Sequence, residues 1–240
     1  MSFGLARGKE LDPSPISVTE TDLPPLPDEA IGNPTAGRVD LSQWFVNVGG
    51  EDRRALPLHI EIGSGKGTFL VQQAAIEPEV NFLGIEWAGE FLVYGADRVR
   101  RAGLRNVRML RTDATEFLRW RVADGTVDVI HLYFSDPWPK TRHHKNRVMQ
   151  DSFLEEAHRV LKPAAASGVG ELRLVTDHDE LWAWYQRHFE RWTGKPDSRY
   201  ELLPFERPTS AGEGELVGSN FERKYKQEGR PFHAAVMKKK

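Results

Sequence analysis

Apolar positions in this chain form short runs and spaced stripes that alternate from about residue 56 onward. LPLHIEI (56–62), NFLGIEW (81–87), VRMLRTD (107–113), VDVIHLYF (127–134) and ELRLVTD (171–177) are runs of strand length. Helical spacing of apolar residues fills the gaps: Gly67–Ile76, Glu90–Ala102, a short stretch through Trp120, Gln150–Leu161 and Glu180–Trp192. In the second of these Phe91, Tyr94 and Val99 share a side, and Pro163 stops the fourth. A weaker strand is expected near 199–205 and a last one at PFHAAVMK (231–238). Strands and helices alternating with short links predict an α/β fold with a doubly wound, mostly parallel sheet. Its strands read as apolar throughout because helices cover both faces. No internal repeat is present.

Before residue 56 the pattern fades. Residues 1–38 hold six of the fifteen prolines and no apolar period. They are expected to be a disordered or loosely ordered acidic tail, leaving 39–240 as a single domain. One short helix is expected around Leu41–Val48.

Composition narrows the classes. The chain has 240 residues, 39% hydrophobic and 28% charged, which suits one globular core. No apolar run approaches the length that spans a bilayer, and MSFGLARGKELDPSP lacks the apolar centre of a secretory signal. With no cysteine, disulfides, thiolate catalysis and cysteine zinc sites are excluded. A cytoplasmic protein, with no membrane partner and no metal, is expected. The net charge of -2 weighs mildly against a nucleic-acid partner. Six of the acids, however, lie within residues 1–30 (Glu10, Asp12, Glu20, Asp22, Asp28, Glu29), so the remainder is slightly basic.

Gly63-Ser64-Gly65-Lys66-Gly67-Thr68 falls where the first strong strand turns into a helix. Glycine there lets the backbone approach a ligand closely. A phosphate-binding P-loop would need glycine at Ile60 and a hydroxyl at Gly67; a dinucleotide fingerprint would need glycine at Thr68. The pattern E-x-G-x-G-x-G of the class I methyltransferase loop for S-adenosylmethionine (SAM) is met fully by Glu61, Gly63, Gly65 and Gly67. Glu86 ends the second strand, where an acid can accept both ribose hydroxyls. Asp113 ends the third, where it can flank the adenine or simply cap the next helix. Three acids at three consecutive strand ends share the rim where ligands bind in such sheets.

The fourth strand runs into SDPWPKTRHHKNR (135–147). Two prolines stiffen the chain around Trp138. Asp136 sits at the strand end, and six of the eight residues 140–147 are Lys, Arg or His. A basic segment beside a rigid loop suits a phosphate backbone; a charge run is also an ordinary solvated face. His143 and His144 are adjacent in a loop without cysteines, poor spacing for a metal pair. The stripe Trp182, Trp184, Tyr185, Phe189, Trp192 is expected to be mostly core.

DPWPK-x-RHHK-x-R resembles the bacterial TrmB-type tRNA (guanine-N7-)-methyltransferases. LHIEIGSGKG, LVTDH (174–178) and SNFERK (219–224) are similar to three further blocks of that family, so the resemblance covers roughly residues 56–240. It implies a class I SAM-dependent methyltransferase of tRNA, acting on the variable-loop guanine at position 46; a monomer and a homodimer are both left open. It implies cofactor contacts along the glycine loop (Gly63, Gly65) and at Glu61, Glu86 and Asp113, and catalysis at Asp136. It implies tRNA or guanine contacts at Lys140, Asp177, Ser219, Asn220, Phe221 and Glu222. Ser219 stands where the family usually has threonine, which keeps the hydroxyl. The glycine-rich stretch Thr209–Val217 before it is expected to be mobile.

Two other readings stay open on the residues alone. One is a SAM methyltransferase acting on protein or a small molecule, which would have no need of RHHK-x-R. The other is an RNA-binding module that does not use the cofactor catalytically.

Overall fold

In the computed structural model, residues 8, 10–46, 51–163 and 169–240 are described. The chain divides into two compact halves, residues 1–123 and 124–240. The expected α/β class with a mostly parallel sheet is found.

The first half carries β1 (Ser17–Thr19), β2 (Leu58–Ile62), α1 (Thr68–Ile76), β3 (Asn81–Ile85), α2 (Gly89–Arg101), β4 (Val107–Arg111) and α3 (Ala114–Arg121). Its strands lie in the order β1-β4-β3-β2 and are all parallel. Phe82, Met109 and Val107 on the sheet pack with Leu70 and Ala74 of α1 and Leu92, Ala96 and Val99 of α2. Helix ends follow their charges: α2 has Glu90 in its first turn and Arg98, Arg100 and Arg101 in its last, each matching the helix dipole.

The segment expected as a loose tail departs from that reading over its described part. Ser17 pairs with Met109 and Thr19 with Arg111, adding an edge strand to β4. Ile16 is buried in the cluster just described, and Ala30 is fully buried. Pro13 and Pro15 both precede the strand, and the Pro13 carbonyl turns the chain into it by accepting Ile16 N–H and Ser17 N–H, each at 2.9 Å. Leu41–Phe45 forms a short 3₁₀ helix capped by Asp40, with Val46 already in extended backbone. Residues 1–7, 9 and 47–48 of those expectations lie outside the described residues.

The second half carries β5 (Val129–Tyr133), α4 (Asp151–Val160), β6 (Glu171–Thr176), α5 (Asp179–Trp192), β7 (Tyr200–Leu203), α6 (Asn220–Gln227) and β8 (His233–Lys239). Its strands run β5-β6-β8-β7, with β5 and β6 parallel and β8 antiparallel to both neighbours. α4 buries Phe153, Leu154, Ala157 and Val160, and α5 buries Leu181, Tyr185, His188 and Phe189, each a single helical stripe. Trp182, Trp184 and Trp192 are half-buried at the margin of that stripe. Among the described residues no helix is long and apolar enough to cross a membrane.

Candidate active site

The glycine loop follows β2. Gly63, Gly65 and Gly67 all adopt left-handed backbone, with φ of 73°, 53° and 64°. Only glycine takes up such a succession without strain. A Cβ on Gly63 would meet nothing within 4 Å, so backbone conformation alone selects glycine there. The loop is held from three sides. Ile85 O accepts the N–H groups of Gly63 and Ser64 at 2.9 and 3.1 Å. Glu86 accepts Gly65 N–H on one oxygen and Ala88 N–H on the other, each at 2.8 Å. Arg98 of α2 donates to Lys66 O at 2.8 Å and to Thr68 Oγ1 at 2.9 Å. Arg98 escaped sequence reasoning because its spacing marks only a helix end.

Glu61 lies on β2, nearly inaccessible to solvent, and its Oε2 has no partner among the described residues. Burial, and then the negative charge of Glu86, push its carboxyl well above the usual range. A buried carboxylate without a donor is unstable alone, so it calls for a ligand that brings one, preferably cationic. Asp113 is exposed and caps α3 by accepting Glu116 N–H at 3.0 Å. Beside it, buried Thr112 donates its hydroxyl to Glu20, so the N-terminal segment reaches the end of β4.

The second half places the acidic-aromatic-basic loop after β5. Phe134 and Trp138 are both left-handed, with φ of 53° and 41°, and neither is glycine. Backbone of this kind costs about 1–3 kcal/mol per residue and persists only where the surroundings enforce it. Between the two sits Asp136, exposed, its carboxylate without a hydrogen bond from any described residue. The brace is Arg147. Its side chain is fully buried; Nε donates to Pro137 O at 2.8 Å, and Nη2 reaches Trp138 O at 3.4 Å and Glu180 Oε1 at 2.7 Å. The guanidinium lies 5.1 Å from the Trp184 ring centre. Arg147 draws Glu180 below the usual carboxylate range.

Arg147 therefore stands apart from the rest of the basic segment 140–147. It faces inward and holds the loop, while Lys140, Arg142 and Lys145 are exposed. A run of basic residues does not reveal which one is turned inward.

Asp177, at the end of β6, is largely buried and pairs with Arg230 at 2.7 Å. The 219–222 block starts α6, a helix not expected from the sequence. Ser219 caps it by accepting Glu222 N–H at 3.1 Å. Buried Glu222 turns back and accepts the N–H groups of Leu216, Val217 (2.9 Å) and Gly218 (2.8 Å). Asn220 and Phe221 are exposed. The stretch Thr209–Val217, expected to be mobile, is tied down by these bonds and by the Arg223–Glu215 pair at 2.7 Å. The S-x-x-E spacing of Ser219 and Glu222 is itself a helix-start signal.

Around Asp177 and Asp136 the second half gathers aromatic rings. Phe134 lies 6.1 Å from Tyr225 and 5.8 Å from Phe232, and Phe221 stacks on Tyr225 at 6.0 Å. Burial, then Asp177, raise the Tyr225 phenol, and Asp136 adds to the effect.

A family model described as "Putative methyltransferase" matches residues 55–233. The tRNA (guanine-N(7)-)-methyltransferase of Streptococcus thermophilus is 32% identical over 218 residues, covering 89% of this chain and 92% of its own. The chain belongs to the tRNA (guanine-N(7)-)-methyltransferase family. The member from Geobacillus thermodenitrificans is 39% identical over 158 residues, covering 66% of this chain and 67% of its own. Among solved structures, a 30S ribosomal A1408 methyltransferase from an uncultured bacterium superposes with a TM-score of 0.54 at 17% identity. It covers 85% of this chain and 95% of that one, a likeness of fold. The family match takes in both the glycine loop and the Asp136 loop.

Proposed function

We propose that this chain transfers the methyl group of SAM to N7 of a guanine in tRNA, at the variable-loop guanine (position 46), in the cytoplasm. Residues 39–240 act as the methyltransferase domain, with β1 of the N-terminal segment docked on its sheet, in a monomer or a homodimer. The observation that supports this most is Asp136: an exposed carboxylate on a loop kept in unfavourable backbone by a buried arginine.

SAM fits the first half. The buried, unpartnered Oε2 of Glu61 suits its ammonium group, and the open space at Gly63 admits it against the backbone. Glu86, fixed in orientation by two N–H groups, would hold the ribose, and Asp113 would flank the adenine. Bound SAM supplies an electrophilic methyl group on a sulfonium.

Guanine N7 carries a free lone pair, so no general base is needed. Positive charge moves onto the purine as the bond forms. Carboxylates aimed at the base stabilise that transition state more than the ground state. Asp136 supplies this field, with Asp177 beside the same aromatic cluster. Phe221 and Asn220 line the substrate side; Ser219 and Glu222 hold the turn that presents them. Lys140 and its exposed neighbours Arg142 and Lys145 take the phosphate backbone.

The test is transfer of labelled methyl from SAM to an unmodified tRNA transcript, followed by digestion to nucleosides. Label in 7-methylguanosine is expected, and none when the variable-loop guanine is replaced by adenine. Label in another nucleoside would overturn the guanine assignment. Absence of label despite SAM binding would favour a protein or small-molecule substrate.

A further inference from the structure

Arg230 makes three contacts at once. One nitrogen lies 2.7 Å from Asp177 Oδ2, the other 2.7 Å from Glu228 Oε2, and the carbon between them is 4.2 Å from the centre of the Tyr225 ring. A planar fork of N–H donors is thus laid near an aromatic ring with one prong on a carboxylate. Guanine can likewise set planar N–H donors on that carboxylate while its face lies against the ring, with two donors where Arg230 uses one. Its N1–H and exocyclic amine form a planar pair of donors on one edge, able to meet a carboxylate side by side. Its flat face stacks on aromatic rings. Adenine has an acceptor at N1 and lacks the fork.

Taking the guanine contact at Asp177 from the reading above, on which this rests, we infer that the Tyr225 ring completes the seat of the target guanine and that Arg230 occupies that seat in the substrate-free protein as a stand-in for the base. The exposures fit such an exchange. The Asp177 side chain is 9% exposed and that of Arg230 40%. A carboxylate this buried is stable only with a donor against it, and Arg230 provides one until the base arrives. The arginine can leave easily: it is solvated, and Glu228 retains it when Asp177 is taken. Phe221, stacked on Tyr225, keeps that ring in place. Tyr225 and Arg230 thereby become specificity residues, one attractive and one competing.

Competition from Arg230 lowers apparent affinity by the fraction of time the seat is open. The measurement is calorimetric titration of GMP and of AMP into the protein saturated with S-adenosylhomocysteine, for the unaltered chain, Arg230→Ala, Arg230→Lys and Tyr225→Leu. Arg230→Ala is expected to bind GMP about 3- to 10-fold more tightly with AMP unchanged. Arg230→Lys, which keeps the charge without the planar fork, falls between. Tyr225→Leu weakens GMP. Affinity for S-adenosylhomocysteine reports that each variant is folded. Unchanged or weaker GMP binding by a folded Arg230→Ala, while the enzyme still forms 7-methylguanosine in tRNA, overturns the seat and leaves the reaction standing. No preference for GMP over AMP in any variant, with no 7-methylguanosine formed, overturns the guanine reading itself.

Discussion

The two halves hold their loops in left-handed backbone by opposite means. After β2 the left-handed positions are Gly63, Gly65 and Gly67, where that conformation is nearly free. After β5 they are Phe134 and Trp138, where it is not, and a buried arginine ties the carbonyls of Pro137 and Trp138. The difference follows from what each loop presents. The first offers its own backbone to a small molecule, so side chains would only obstruct. The second offers side chains, Asp136 and the rings around it, so glycine would empty the site. Strain is accepted there and countered by Arg147.

The largest expected effect tests that division directly. Asp136→Ala should lower turnover by about 10²–10³-fold, the range for removing a group aimed at developing charge. Affinity for SAM should stay within about 3-fold, because Asp136 belongs to the substrate half in this scheme. Single-turnover methylation and SAM titration together measure both; a large loss of SAM affinity would collapse the distinction between the halves.

Glu61→Gln should show the reverse pattern. SAM affinity is expected to fall about tenfold, as for loss of a hydrogen bond to a charged group. The cofactor-free protein should melt a few degrees higher, about 2–4 °C, since a raised carboxyl is a liability once ionised. The sign of its pH dependence follows. A carboxyl whose folded pKa lies above its unfolded one takes stability away as pH rises beyond the unfolded value of 4.5. The unaltered protein without SAM should therefore lose stability between that pH and neutrality relative to Glu61→Gln. Melting curves over pH 4.5–8 with the two chains side by side check this; parallel curves would mean that Glu61 is not held protonated by its burial.

The smallest effect belongs to the outer face. Lys140→Ala should weaken tRNA binding only a few-fold and reduce the slope of log affinity against log salt by about 1. An unchanged slope would remove Lys140 from the phosphate contacts.

Local features were legible in both halves, and contacts between residues far apart in sequence were not. Glycine loop, strand ends and helices α1 to α3 are local features: a G-x-G-x-G spacing, an acid at each strand end, a stripe of apolar residues. The observed elements lie within two or three residues of those expected. In the second half the informative contacts join residues far apart in sequence. Arg147 meets Glu180, Asp177 meets Arg230, and no spacing rule connects them. β1 was hidden for a related reason: a three-residue edge strand among prolines has too few positions to show a period. α6 was the exception, since its S-x-x-E start was readable but lacked an apolar stripe to draw attention.

The left-handed Trp138 has a bearing on any campaign to select heat-resistant forms of this enzyme. Asparagine tolerates that backbone better than tryptophan, so Trp138→Asn should raise the melting temperature, and it should slow methylation because it removes the exposed indole beside Asp136 from the substrate side. A screen on thermal survival alone would reward this change, drifting toward sturdier proteins with idle active sites. A screen coupled to 7-methylguanosine formation would retain the tryptophan and draw its gains from elsewhere in the chain.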